Sequence, residues 1–242
     1  MSIRSSSSKS RDRCAAGRVA WIATCALVMA CAPATPAAPP SPPPPIAPSP
    51  LSPLVARLAA CDLPEMATAL AASPQVGALW RDYPDARAYT QIVEDAARPL
   101  PVRFAAALVL RSKSAAQFRR TARRALADVL AAALQRDLVG HAYPWGRLWA
   151  GDDPLGLLGR MVVELGRPAI PPLVALLDDT APRDSYLGRE EATEMAMRQY
   201  RVKDFAAFYI SRITGLELPW QPELADRDQA IAQLRRQLAA AP

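Results

Sequence analysis

The stretch 140–154, GHAYPWGRLWAGDDP, gathers the chain's one histidine, His141, with Tyr143, Trp145, Trp149, Arg147 and the neighbouring carboxylates Asp152 and Asp153. Flat aromatic faces stack on sugars or peptide planes while an arginine or aspartate fixes orientation, so a saccharide- or peptide-binding surface is one reading. The same residues also serve a loop that folds over an apolar groove. A histidine beside a carboxylate is the minimal set for general acid–base hydrolysis. Adjacent aspartates point apart and no second histidine exists, so no metal or cofactor is expected. A second constellation is basic: Arg111, Lys113, Arg119, Arg120, Arg123 and Arg124 precede the next acid, Asp128. The pairs Arg119/Arg123 and Arg120/Arg124 are spaced four apart, which places them on one helix face. Such a face docks on anionic headgroups at about 1 kcal/mol per charge, or on an acidic partner; it also reads as a solvated face answered by acids elsewhere. Glu190, Glu191 and Glu194 fit the first turn of a helix, where carboxylates complement the dipole. Asp178-Asp179-Thr180 reads as a helix end and turn. No G-x-S-x-G, H-E-x-x-H, phosphate loop or C-x-x-C occurs, so no catalytic residue is assigned.

The elements that must carry these residues come after an address. Arg4, Lys9, Arg11, Arg13 and Arg18 form a positive region ahead of the uncharged run VAWIATCALVMA at 19–30. Twelve apolar residues span about 18 Å as a helix, short of a bilayer core of roughly 30 Å, so the run reads as an export signal. Val28-Met29-Ala30-Cys31 resembles the lipobox of bacterial lipoproteins. That resemblance implies cleavage before Cys31, diacylglycerol on its thiol and attachment to a membrane. Ala32, in place of aspartate, implies the outer membrane, on the periplasmic side, of a Gram-negative cell. A plain signal peptide cut at Ala30 or Ala32 is the alternative.

Residues 1–30 hold five of the 29 basic and one of the 23 acidic residues, which leaves +2 on the remainder. The high pI therefore belongs largely to the signal and makes no case for nucleic acid. Eleven prolines between Pro33 and Pro53, uninterrupted by charge, predict a polyproline II tether. At about 3.1 Å per residue it holds a domain up to ~60 Å from the bilayer. With Cys31 lipidated, Cys61 has no disulfide partner; a buried inert thiol or an intermolecular bridge are its two readings. The chain thus divides into a signal (1–30), a lipidated tether (31–53) and a folded body (54–242).

The body reads as all-α, rich in alanine and leucine and without a strand-like alternation. Candidate helices are 54–61, 64–72, 85–97, 101–112, 115–137, 154–165, 168–178, 189–199, 202–214 and 226–240. Start signals at Asp62-Leu63-Pro64, Asp153-Pro154 and Asp226, and glycines at Gly166 and Gly215, mark their ends. In the helix over 115–137, Phe118, Ala122, Ala125, Val129 and Ala133 fall on one side and the four arginines on the other.

Three segments resemble HEAT-type repeats. Gly166-Arg167-Pro168-Ala169-Ile170-Pro171-Pro172-Leu173-Val174-Ala175-Leu176-Leu177-Asp178-Asp179 looks like a first helix. Arg201-Val202-Lys203-Asp204-Phe205-Ala206-Ala207 and Pro101-Val102-Arg103-Phe104-Ala105-Ala106-Ala107-Leu108 look like second helices. The resemblance implies HEAT-like helix pairs in an irregular α-solenoid or bundle, with residues 180–200 as a long insert between one such pair. The expectation is a lipid-anchored, non-catalytic envelope protein that acts as a scaffold or adaptor for another envelope protein. The alternatives are a saccharide or peptidoglycan binder using Tyr143, Trp145, Arg147 and Trp149, and a hydrolase using His141.

Overall fold

Short polar side chains and prolines set where the first helices begin. The computed structural model describes residues 51–149, 154–183, 193 and 197–240. The export signal, Cys31, the tether to residue 50, Asp152, Asp153, Glu190, Glu191 and Glu194 lie outside the described residues. So does most of the expected helix 189–199. After α1 (Ser52–Ala59), the Asp62 carboxylate accepts from the Glu65 amide at 3.0 Å and heads α2 (Leu63–Ala69) with Pro64 in its first turn. Ser73 accepts from the Val76 amide at 3.3 Å and heads α3 (Pro74–Asp82). Asp85 accepts from the Arg87 amide at 2.9 Å and heads α4 (Ala86–Glu94). These bonds satisfy amides that the first helical turn leaves free. The helix α3 was not among those expected from sequence, although Ser73-Pro74 is a start signal.

Helix α5 (Leu100–Lys113) is buried on every side from Phe104 to Leu110, as a helix apolar all round must be. Helices α1, α2, α3, α4 and α7 pack against it, and Ala105–Ala107 let them approach closely. The single helix expected over 115–137 is instead two, α6 (Ala115–Arg120) and α7 (Arg123–Gln135). The break has a cause. The Thr121 hydroxyl donates to the Gln117 carbonyl at 3.0 Å and closes α6, while the Glu94 carboxylate accepts from the Ala122 amide at 2.8 Å. A residue with a local hydroxyl bond and a distant carboxylate outcompete helix continuation. Ala122 is accordingly exposed rather than on the apolar side.

The second half repeats the arrangement around another buried helix. In α10 (Val202–Thr214) every residue from Val202 to Ile210 is buried. Around it pack α8 (Gly156–Leu165), α9 (Ile170–Ala175) and α11 (Leu224–Ala240). Helix α7 touches α5, α8 and α9, so it joins the two halves. The helix α8 begins at Gly156, later than Asp153-Pro154 suggested, because the chain there presses on the 3-10 turn Tyr143–Trp145. A Cβ at Gly156 would lie 2.7 Å from the Pro144 carbonyl oxygen, and its φ of +58° is glycine's own. The first helix expected at 168–178 is shorter, a 3-10 turn (Arg167–Ala169) leading into α9.

Although residues 180–200 separate them in sequence, α9 and α10 lie side by side. The Arg183 amide donates to the Tyr200 carbonyl at 2.7 Å, the Val202 amide to Ala181 at 2.9 Å and the Lys203 amide to Asp179 at 2.9 Å. The fold is all-α; among the described residues the isolated bridge Pro182–Arg201 is the one extended pairing.

Candidate functional site

The aromatic segment is divided between core and surface. Trp145 is fully buried, its carbonyl accepting from the Tyr209 hydroxyl at 2.5 Å. Trp149 is half-buried, donates through Nε1 to the Leu218 carbonyl at 2.9 Å, and lies 5.1 Å from Phe208 and 5.2 Å from Trp220 between ring centres. Both indoles pack inside the body, as the apolar-groove reading of the segment has it, and their faces are not presented to solvent as a sugar platform would be. Tyr143 and Arg147 remain at the surface. They border a cleft of about 440 Å³ with Thr68, Leu70, Leu157 and Arg160. Sequence reasoning missed Thr68 and Arg160. Arg160 lies one turn into α8 and so faces the same way as Gly156, but nothing in the sequence links Thr68 to this segment.

His141 is poised as a buried neutral group. The Thr68 hydroxyl donates to the Pro64 carbonyl at 2.8 Å, so in its 3.2 Å contact with His141 the ring Nε2 is the donor. The proton is then on Nε2, and Nδ1 is a buried acceptor without a partner among the described residues. Burial pushes the imidazole pKa below its ordinary value, against the attraction of Asp137. Because the threonine proton is held by backbone, Thr68 and His141 do not form a nucleophile–base pair. Among the described residues no carboxylate bonds to the imidazole.

Of the six cations in the basic run, four of them expected on one helix face, two are answered. Arg111 pairs with Glu164 at 2.8 Å and Arg124 with Asp128 at 2.9 Å. Arg119 and Arg120 end α6, and Arg123 opens α7; all three are exposed, with no acidic partner among the described residues. The helix break means they share a corner rather than one helix face. Arg123 stands at the positive end of the α7 dipole, a placement that costs about 0.3–1 kcal/mol. Folding alone gives no reason for a cation there. The thiol of Cys61 is half-buried, donates to the Arg57 carbonyl at 3.3 Å and has its pKa pushed up by burial, which keeps it protonated.

One cluster was not anticipated as a unit. The fully buried Asp204 accepts from the Arg201 amide at 2.8 Å, from Arg201 Nε and Nη2 at 3.0 Å each, and from Arg227 Nη1 at 3.1 Å. Asp228 pairs with Arg201 and Lys203, each at 2.8 Å. The Arg227 guanidinium lies 5.0 Å from the Trp220 ring, and burial pushes its pKa down against the pull of Asp204. These groups stitch α10 to α11 and answer one another. The signal was present in sequence as charges inside an apolar run, Val202-Lys203-Asp204-Phe205.

No family model, curated protein or solved structure matches this chain, so the likenesses to a lipobox and to HEAT helices rest on the residues quoted.

Proposed function

We propose that this is a lipid-anchored, non-catalytic protein of the bacterial envelope whose helical body, built of HEAT-like helix pairs, docks an acidic partner protein on the corner made by Arg119, Arg120 and Arg123. The observation that carries the reading is that these three guanidiniums are exposed and unanswered among the described residues. Rim charges of this kind steer encounter and set partner choice. The lipobox-like Val28–Cys31 and the proline-rich tether support a body held at, but away from, the outer-membrane surface.

The test is cross-linking in living cells, followed by purification and mass spectrometry, on the wild type, on Cys31→Ser and on Arg119→Ala/Arg120→Ala/Arg123→Ala. An acidic envelope protein captured by the wild type falls by about 3- to 150-fold in the triple variant, at roughly 0.2–1 kcal/mol per charge. Unchanged capture refutes the arginine corner, and purified wild-type protein whose Cys31 carries no lipid by mass spectrometry refutes the anchor. A second reading, a binder of envelope saccharide or peptide, is favoured by one observation: Tyr143 is 45% exposed at the cleft it shares with Arg147. Capture of cell-wall fragments, lost in Tyr143→Ala, distinguishes it.

A further inference from the structure

Away from both sites, α9, the end of α10 and the last turns of α11 frame an open groove of about 1030 Å³. Ile170, Val174, Ile213, Leu216 and Leu238 form its apolar surface, and none of them is fully buried. Aliphatic side chains from three elements converging on solvent mark a binding surface rather than scattered exposure. The polar groups along the groove are mostly engaged. Thr214 donates its hydroxyl to the Ile210 carbonyl at 2.8 Å, and Arg235 pairs with Asp178 at 2.7 Å. Arg167 is exposed at the rim and has no acidic partner among the described residues.

This pattern selects among occupants. An extended peptide brings unpaired backbone amides and a saccharide brings hydroxyls, and each needs partners that this aliphatic floor does not offer. An alkyl chain needs none. The one uncompensated charge is a cation at the rim, which complements a negative head. We propose that the groove binds a long-chain fatty acid, with its alkyl chain along Ile170, Val174, Ile213, Leu216 and Leu238 and its carboxylate at Arg167. The inference does not depend on the anchor at Cys31 or on the arginine corner.

The test is titration calorimetry on the Cys31→Ser chain, purified without detergent, using decanoate, dodecanoate and dodecyltrimethylammonium below their micellar concentrations. Each buried methylene is worth roughly fourfold, so dodecanoate binds one-to-one about 15-fold more tightly than decanoate. The cationic amphiphile binds more weakly. Arg167→Glu removes the preference for the anion, and Val174→Asp or Leu238→Asp abolishes binding with the helical circular dichroism unchanged. No dodecanoate binding, equal binding of the cationic amphiphile, or full binding by both aspartate variants overturns the proposal. So does sedimentation showing a dimer that Val174→Asp dissociates, because a second copy would then be the occupant.

Discussion

Replacing Asp204 with asparagine tests the packing logic of the second half of the body. The carboxylate is fully buried and receives four donors, three from Arg201 and one from Arg227, which is itself only 3% exposed. Asparagine keeps the shape and removes the charge. Arg201 retains Asp228 at 2.8 Å, but Arg227 is left with the Arg198 carbonyl at 2.7 Å and the Trp220 face as neutral partners. Removing one member of a buried ion pair costs about 3–5 kcal/mol, chiefly by stranding the other charge. For a body of this size that is a drop in Tm of roughly 6–20 °C. Urea unfolding followed by circular dichroism reads the loss directly. The control is Asp204→Leu/Arg227→Met, which removes both charges and returns most of the stability. Asp228→Asn, at a half-exposed carboxylate, costs less than about 1 kcal/mol. A loss below about 1 kcal/mol for Asp204→Asn, or a double variant weaker than either single one, would refute the argument that stranded charge decides the cost.

Two further outcomes follow from buried groups. Burial holds the folded pKa of His141 below that of the unfolded chain, near 6.5, so the unfolded state takes up the proton first. Stability is therefore full above about pH 6.5 and falls as the pH drops below it. His141→Asn flattens that part of the urea-midpoint profile, and the single histidine resonance in proton NMR gives the pKa itself. A Cβ at Gly159 would lie 2.7 Å from the Trp145 carbonyl oxygen and 2.9 Å from Tyr209 Cε1, so Gly159→Ala costs about 1–3 kcal/mol through overpacking. A neutral effect in thermal unfolding shows that Trp145 and α8 can separate without loss.

The all-α class and most helices were legible because alanine, leucine and capping residues speak locally. Asp62 starts its helix, and Gly166 and Gly215 end theirs, as read. The error at 115–137 shows the limit of that local language. Its decisive partner, Glu94, comes from α4 and no window over 115–137 contains it. The aromatic segment carried two readings in sequence. The contacts that favour packing for Trp145 and Trp149 come from Tyr209 on the Trp145 carbonyl and from Phe208 and Trp220 beside the Trp149 ring, all distant in sequence. The cations were legible as a run, and the pair of Arg124 with Asp128 is a local one four residues apart, but the pairing of Arg111 with Glu164 is tertiary and no local window contains it.

The bond between the Arg183 amide and the Tyr200 carbonyl has an engineering consequence. It closes the chain on itself around residues 184–199, so the two ends of that stretch leave and re-enter the body at one point. Arg183 is held further by its guanidinium on the Leu134 and Gln135 carbonyls at 3.0 and 2.5 Å, at the end of α7. Loop-closure entropy grows slowly with length, by about 0.6 kcal/mol per doubling, when the ends are fixed this way. The consequence is a place for insertion: an epitope tag or a folded module with adjacent termini added directly after Arg183 leaves in place the pairing of α9 with α10 and the bond of Arg227 to the Arg198 carbonyl.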